Sequence, residues 1–457
     1  MFSDQQVRQM APLMKALEEE EPLVSAWRTQ GGNPPRLSGL VKMVRSCARW
    51  GRDGLRRLRA PARPDPGQVV VFPTGLTPSS WGSLRPLLFE LARRGSPAFL
   101  VTNHRTRPVL AQGLHKGFAD IGEIAAALPA ESRRLVSQQS RALADQLGRL
   151  LGSDEATCAA RWLQHGLAIR ESVQHWLNGA GVVLLDTDLE AEKKGFVFGA
   201  AKAGVPSVVL QHGLFSSQHF PVHADRLFCW GDYFCRQAEC FGLEPRRAVS
   251  IGCPRWDELA TIRARPRDDA IRRKLGSSWE KPLVLLISTA HAAPQYPEIF
   301  SSYFQSIEKL AQAEVDLAIR LHPVERGSSI YKERLSPRTF ARVHFSSPDV
   351  ALCDVMRSAD VIHNVFSAAS LEAMQLGVPI LFERGPASEQ LSDFPDHGGG
   401  GWSTPDNLVD QVMGLTGSRH VRREAITMQD VFLDHALVNR GRAAEAVVGN
   451  LLASKQI

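Results

Sequence analysis

From residue 181 onward the chain alternates, twice over, between short apolar β-branched runs and helix-patterned stretches, and few folds accept that order. Residues 181–185 read as a buried strand, 191–203 as a helix stopped by Gly204, and 205–210 as the next strand. Residues 225–230 and 247–251 add edge strands. After a charged stretch at 263–274 the pattern restarts: strand 282–288, helix 297–312, strand 315–321 and strand 342–345. It continues with helix 350–357, strand 360–362, helix 367–376, strand 378–382 and helices to the end. Strand and helix in alternation call for a parallel sheet covered on both faces. Two such runs predict an α/β chain with two doubly wound domains.

Upstream, strand 68–72, helix 81–94 and strand 97–102 open the first run, and residues 110–178 read as a helical layer on the sheet. The expected domains are a helical basic segment at 1–66 and two Rossmann-like domains at 67–275 and 276–457. The loop 398–401 reads either as a surface turn or as a lid.

Composition narrows the class. The 457 residues are 44% hydrophobic and 22% charged, ordinary values for a globular chain. No run approaches the ~18–20 uncharged apolar residues of a membrane span. The N-terminus turns acidic at Glu18–Glu21, unlike a secretory signal. Seven cysteines, an odd number, argue against a disulfide framework, and the spacing of Cys229, Cys235 and Cys240 is not a zinc pattern. A cytoplasmic protein is expected.

The basic excess is local. Between Arg36 and Arg63 stand nine basic residues and one acid, Asp53, in a chain whose total charge is +6. With Val41, Val44, Ala48, Leu55 and Leu58 at near-helical spacing, the segment reads either as a solvated helix face or as a peripheral contact with an anionic inner-membrane surface. Nucleic acid is set aside as a partner, because no recognition motif accompanies the charge.

Sheets of this kind bind ligands outside the carboxyl ends of their strands, and four strand-end loops carry polar residues. The first holds Thr74, Gly75, Thr77, Ser79 and Ser80, open to reading as helix N-capping or as an anion or acceptor loop. The second pairs Asp186 and Asp188 with Gln211, His212 and Gly213, where an imidazole beside a carboxylate suits a general base. An Asp-x-Asp pair could instead hold a divalent cation, a reading weakened by the lack of a third acid nearby. The third is Arg320, His322 and Pro323: Arg grips phosphate in two-pronged fashion, and His adds a donor, against a bland reading as a capped strand end. The fourth places Ser367 and Ser370 at a helix start, with Glu372 able to cap it or hold ribose hydroxyls. No G-x-S-x-G or H-E-x-x-H occurs, which removes the serine-hydrolase and zincin classes.

From residue 181 onward these elements, with Lys202-Ala-Gly-Val-Pro206, Trp230-Gly231, Gly252-Cys-Pro-Arg-Trp-Asp257, Arg320-Leu-His-Pro323 and Ser367-Ala-Ala-Ser-Leu-Glu372, resemble bacterial GT-B-type transferases of surface polysaccharide synthesis. Similar sets occur in capsular sialyl- and Kdo-transferases, CDP-glycerol glycerophosphotransferases and nucleotide-sugar 2-epimerases. The resemblance implies a GT-B-like fold with two Rossmann-type domains facing a cleft, 67–275 for the acceptor and 276–457 for the nucleotide donor. It also implies transfer of a sugar from a nucleotide-activated donor, CMP-sugar favoured, to a surface or lipid-linked glycan, without metal or other cofactor. It puts His322, Ser367 and Ser370 on the donor, and the strand-end reading adds Arg320, Pro323, Glu372 and Thr289. The strand-end loops offer Thr74, Gly75, Gln211 and Gly213 for the acceptor, and the resemblance gives catalysis to His212 or Asp188, with His322. Where the glycerophosphotransferases have a Trp-His-Gly-Thr-like turn, Gln211-His-Gly-Leu214 stands, which tilts the reading from a polyol phosphate to a sugar. The alternatives are an epimerase or hydrolase of nucleotide sugars, a CDP-polyol phosphotransferase, and a non-catalytic partner in polysaccharide assembly.

Overall fold

A computed structural model describes residues 60–453 except 75–77, 104–105, 107–113, 149–152, 278, 326 and 387–391. Most of the basic segment between Arg36 and Arg63, with its expected helix and membrane contact, lies outside the described residues, as does Gly75. The chain forms two compact units, Met1–Arg255 with Arg442–Ile457, and Trp256–Gly441.

The sheet of the first unit contains β1 (Val69–Phe72), β2 (Ala98–Thr102), β3 (His115–Asp120), β4 (Val182–Leu185), β5 (Ser207–Leu210), β6 (Arg226–Cys229) and β7 (Ala248–Ser250). Its order is β3-β2-β1-β4-β5-β6-β7, with every pairing parallel. Strands such as Val-Val-Val-Phe and Val-Val-Leu-Leu are fully buried along their length, because helices cover both faces of a parallel sheet. β3 was not expected. Its sequence His-Lys-Gly-Phe-Ala-Asp lacks an apolar run, and it survives as a half-exposed edge strand paired only with β2. The rest of the expected helical layer is present as Ile121–Ala126, Ala130–Gly148 and Ser153–Trp176.

Helix Ser153–Trp176 crosses helix Ala191–Lys202 at close range. A Cβ on Gly195 would lie 2.5 Å from the Gly166 carbonyl oxygen, and one on Gly199 would lie 2.7 Å from Val173 Cβ. That closeness seals Lys193 and Lys194, 0% and 1% exposed, beneath the layer.

The second sheet contains β8 (Leu283–Ile287), β9 (Asp316–Arg320), β10 (Val343–Phe345), β11 (Val361–Asn364), β12 (Ile380–Glu383) and β13 (Gly401–Ser403). The order is β10-β9-β8-β11-β12-β13, again parallel throughout. This is the order of a dinucleotide-binding fold. The expected turn or lid at 398–401 instead leads into edge strand β13, which pairs with β12. Gly400, at φ +127°, makes the approach possible, since a Cβ there would sit 2.9 Å from the Ile380 carbonyl oxygen.

The two units divide between Arg255 and Trp256, whereas the sequence suggests a boundary at 275. Helices Leu259–Arg263 and Asp269–Lys274 belong to the second unit. There the buried Arg272 donates to the carbonyls of Ser358 and Lys281 and pairs with Asp360. The last helix, Ala443–Ala453, returns to the first unit, and Val447, Val448 and Leu451 bury against Leu84, Leu87, Leu88 and Leu91. At roughly 1.5–3 kcal/mol per buried aliphatic side chain, the contact is a substantial tether. No helix among the described residues is long and apolar enough to cross a membrane.

Candidate functional site

In each sheet the chain order reverses at one pair of neighbouring strands, β1/β4 in the first unit and β8/β11 in the second. Their carboxyl ends are where a doubly wound sheet leaves a crevice.

In the first unit that place is largely occupied by the protein's own side chains. Thr74 follows β1, and its N–H and hydroxyl donate to the Asp186 carboxylate after β4, at 3.0 and 2.6 Å. Lys193 Nζ donates to Asp186, to Thr74 Oγ1 at 2.5 Å and to the Phe72 carbonyl at 3.0 Å. Its cation also lies 5.2 Å from the centre of the Phe72 ring. A buried ion pair gains little net stability over apolar packing, but leaving one member unpaired is costly. Thr74, assigned to the acceptor, is thus part of a strand-to-strand tie.

Asp188 faces elsewhere. Its carboxylate accepts from the backbone N–H groups of His223 (2.6 Å) and Ala224 (3.2 Å), anchoring the segment that enters β6. Burial pushes its pKa up, opposed by those donors and by Lys194. The carboxylate is 2% exposed and both amides donate to it, so it anchors that segment. The two acids therefore diverge, and the Asp-x-Asp pair does not form a common cation cage. No group of three or more His, Cys, Asp or Glu among the described residues is placed to hold a metal.

Gln211, assigned to the acceptor, is also spent internally. Its side chain donates to the Gly213 carbonyl at 3.0 Å and accepts from Trp230 N–H at 2.9 Å, while the Trp230 indole donates back to the Gln211 carbonyl at 2.9 Å. That bridge between the ends of β5 and β6 presents the next residue, His212. Its half-buried imidazole lies 5.9 Å from the ring of His219. Burial lowers its pKa below 6.5, as do Lys193 and Arg255, against the pull of Asp186. At neutral pH the ring is a neutral acceptor, the state a general base needs. A Cβ on Gly213 would meet nothing within 4 Å, so the backbone beside His212 is open to approach.

The second unit differs. Thr289 lies two residues past β8, and its hydroxyl, in a residue 3% exposed, finds no hydrogen-bond partner among the described residues. One strand over, His322 follows β9 in matching register, since Ile287 pairs with Arg320. On the other side of β8, β11 leads into Ser367, whose hydroxyl accepts from Ala369 N–H at 3.2 Å. Three adjacent strands, spaced about 4.8 Å apart, thus lead into Thr289, His322 and Ser367. His322 Nδ1 accepts from Val324 N–H at 3.3 Å, which leaves Nε2 to carry the ring proton as a free donor. Burial and the neighbouring His291 lower its pKa, with Glu325 opposing.

Two assigned donor residues are turned away. Ser370 is fully buried and accepts from the Asn364 side chain at 3.1 Å. Arg320 donates to the carbonyl of Pro348 at 3.3 Å and to that of Ser347, latching the loop after β10. Pro323 is exposed on the turn after His322, and Glu372 is half-buried on helix Ala369–Gln375.

The residues missed in the sequence are Lys193, Ser288, His291 and Glu325. A lysine pair opening an otherwise apolar helix was the signal for the first. For the others it was a Ser-Thr-x-His run directly after an apolar strand and an acid three residues past His322.

No protein-family model matches this sequence, and no curated protein matches it. Solved structures do share its fold. A UDP-GlcNAc 2-epimerase from Neisseria meningitidis, bound to UDP-GlcNAc, is 13% identical over 85% of this chain and 100% of its own, with a TM-score of 0.52. HepE from Anabaena, in complex with UDP, is 14% identical over 85% and 100%, also at 0.52. A glycosyltransferase from Rickettsia africae is 9% identical over 84% and 99%, at 0.52. The likeness is one of fold: the chain has the two Rossmann-type sheets of the GT-B class.

Proposed function

We propose that the protein is a glycosyltransferase that takes a sugar from a nucleotide-activated donor to a glycan hydroxyl. The observation that carries this reading is the second switch point, where the unpartnered Thr289 hydroxyl, the free Nε2 edge of His322 and Ser367 stand on three adjacent strand ends. Hydrogen-bond donors gathered where a phosphate leaves would stabilise the charge that grows in the transition state. His212, neutral at pH 7, serves as the base for the acceptor hydroxyl. The capsular and lipid-linked acceptors implied by the motifs belong to this proposal, as does the anionic membrane surface. The Neisseria and Anabaena proteins carry UDP-GlcNAc and UDP, which supports a uridine diphosphate donor over the CMP-sugar that the motifs favour.

A second reading, a nucleotide-sugar 2-epimerase, is favoured by the Neisseria likeness. Both are tested by incubating the protein with UDP- and CMP-sugars, with and without a glycan acceptor, and following the nucleotide and sugar products. Acceptor-dependent release of UDP or CMP supports the transferase, and epimerised donor without acceptor supports the second reading. Failure of every nucleotide to stabilise the folded protein would remove both.

A further inference from the structure

Beside His322 stands a second imidazole, His291, in the short helical turn Ala290–Ala292 after β8. The two rings lie 4.4 Å apart between centres and tilt by 34°. Between their backbones sits Glu325, its side chain 5% exposed. One carboxylate oxygen accepts from His291 N–H at 3.0 Å and from the Ser288 hydroxyl at 2.8 Å; the other accepts from His322 N–H at 2.9 Å. Ser288 in turn accepts from the hydroxyl of the buried Tyr331 at 2.6 Å, so its own proton is committed to Glu325. Glu325 N–H closes the turn on the His322 carbonyl at 2.8 Å. The carboxylate also lies 3.5 Å from His291 Nδ1, and Nε2 of neither ring has a partner among the described residues.

A carboxylate beside an anion site should repel the anion. Three donors here share its charge, and each belongs to one of the two loops carrying the imidazoles. We propose that His291 is a second arm of the donor-phosphate site and that Glu325 is the positioning residue that ties its loop to that of His322. The proposal rests on the nucleotide-sugar reading above. The phosphoryl oxygens of a nucleotide are the ligand chemistry that two outward Nε2 edges and the Thr289 hydroxyl would take.

The charge and positioning roles of Glu325 predict opposite signs, which makes the test sharp. Glu325→Gln removes a negative charge, so a purely electrostatic neighbour would let UDP, CDP or CMP bind more tightly. Loss of the loop tie would make them bind about tenfold more weakly. His291→Asn should weaken the same nucleotides by a similar factor, and Tyr331→Phe, which removes only the far end of the relay, by less. Titration calorimetry with each nucleotide reads these directly. Imidazole NMR of the ligand-free protein reads the tie itself: Glu325→Gln should shift the His291 and His322 ring signals together, and His291→Asn should raise the His322 pKa, which the neighbouring imidazole lowers. Tighter or unchanged binding in Glu325→Gln, or unchanged binding in His291→Asn, overturns the proposal. Failure of the unaltered protein to bind any nucleotide overturns the functional reading and the role of His291 with it, while the NMR arm still decides whether Glu325 couples the two rings.

Discussion

The two sheets share an architecture but treat their switch points in opposite ways. At β1/β4 the polar residues bond to one another: Asp186 with Thr74 and Lys193, Gln211 with Trp230, Asp188 with the backbone before β6. At β8/β11, among the described residues, neither the Thr289 hydroxyl nor the Nε2 edge of either ring of the His pair has a partner. A buried polar group without a partner costs about 1–3 kcal/mol, so a fold keeps one where something else pairs with it. The first unit's switch point at β1/β4 is thus mainly ties, with His212 on offer beside it, and the second unit's is arranged for a ligand. Substitutions in the first should show up mainly as stability, His212 excepted, and those in the second as binding.

His212 tests that exception and carries the largest expected effect. His212→Asn should lower kcat on the order of 10²–10⁴-fold, the range for a lost general base, with little change in melting. Burial disfavours the imidazolium, so the folded pKa lies below 6.5. The ring is then neutral at pH 7, and kcat/KM should fall as pH drops through that lowered pKa. An acid limb that persists unchanged in His212→Asn would assign the base to another group.

Lys193 probes the tie. Lys193→Met leaves Asp186 buried beside Thr74 without its cation, and removing one partner of a buried pair costs about 3–5 kcal/mol. Denaturant unfolding should show that loss, whereas His322→Ala, on a half-exposed turn, should unfold almost as the unaltered chain does. If Lys193→Met were fully stable yet inactive, the lysine would belong to the chemistry, and the contrast between the two switch points would disappear.

Much of this architecture was legible because burial on both faces of a parallel sheet leaves a plain mark. Runs such as Leu-Val-Leu-Leu-Ile allow little else. The strands that escaped, β3 and β13, are edges: one side of each is unpaired, so His-Lys-Gly-Phe-Ala-Asp and Gly-Trp-Ser need no apolar run. The strand-end positions of Asp186, Asp188, Gln211, His212 and His322 were also legible, since chain order places them. What each side chain does there was not, because that depends on partners far away in sequence. Asp188 is answered by His223 and Ala224, and Asp186 by Thr74, 112 residues earlier. Ser370 and Ser367 are three residues apart on the same turn, yet Asn364 claims only the first. The return of the last helix to the first unit follows from the same kind of distant pairing, with Leu84 to Leu91 as its partners.

The smallest expected effect separates the two readings of a strand-end hydroxyl most cleanly. Thr289→Val keeps the shape of the side chain and removes an oxygen that no described residue satisfies. Without a ligand, that oxygen is a liability, so the valine protein should be as stable or more so, by up to about 1 kcal/mol. If the hydroxyl serves the donor phosphate, the same change should weaken nucleotide binding about fivefold, the value of one net hydrogen bond. Stability and affinity therefore move in opposite directions at Thr289, whereas Thr74→Val, which breaks bonds to Asp186 and Lys193, should lower stability outright. Melting curves and nucleotide titrations on the two variants give the comparison directly. Equal affinity for the unaltered and Thr289→Val proteins would mean that the hydroxyl meets no ligand and that the second switch point is closed by something other than a nucleotide.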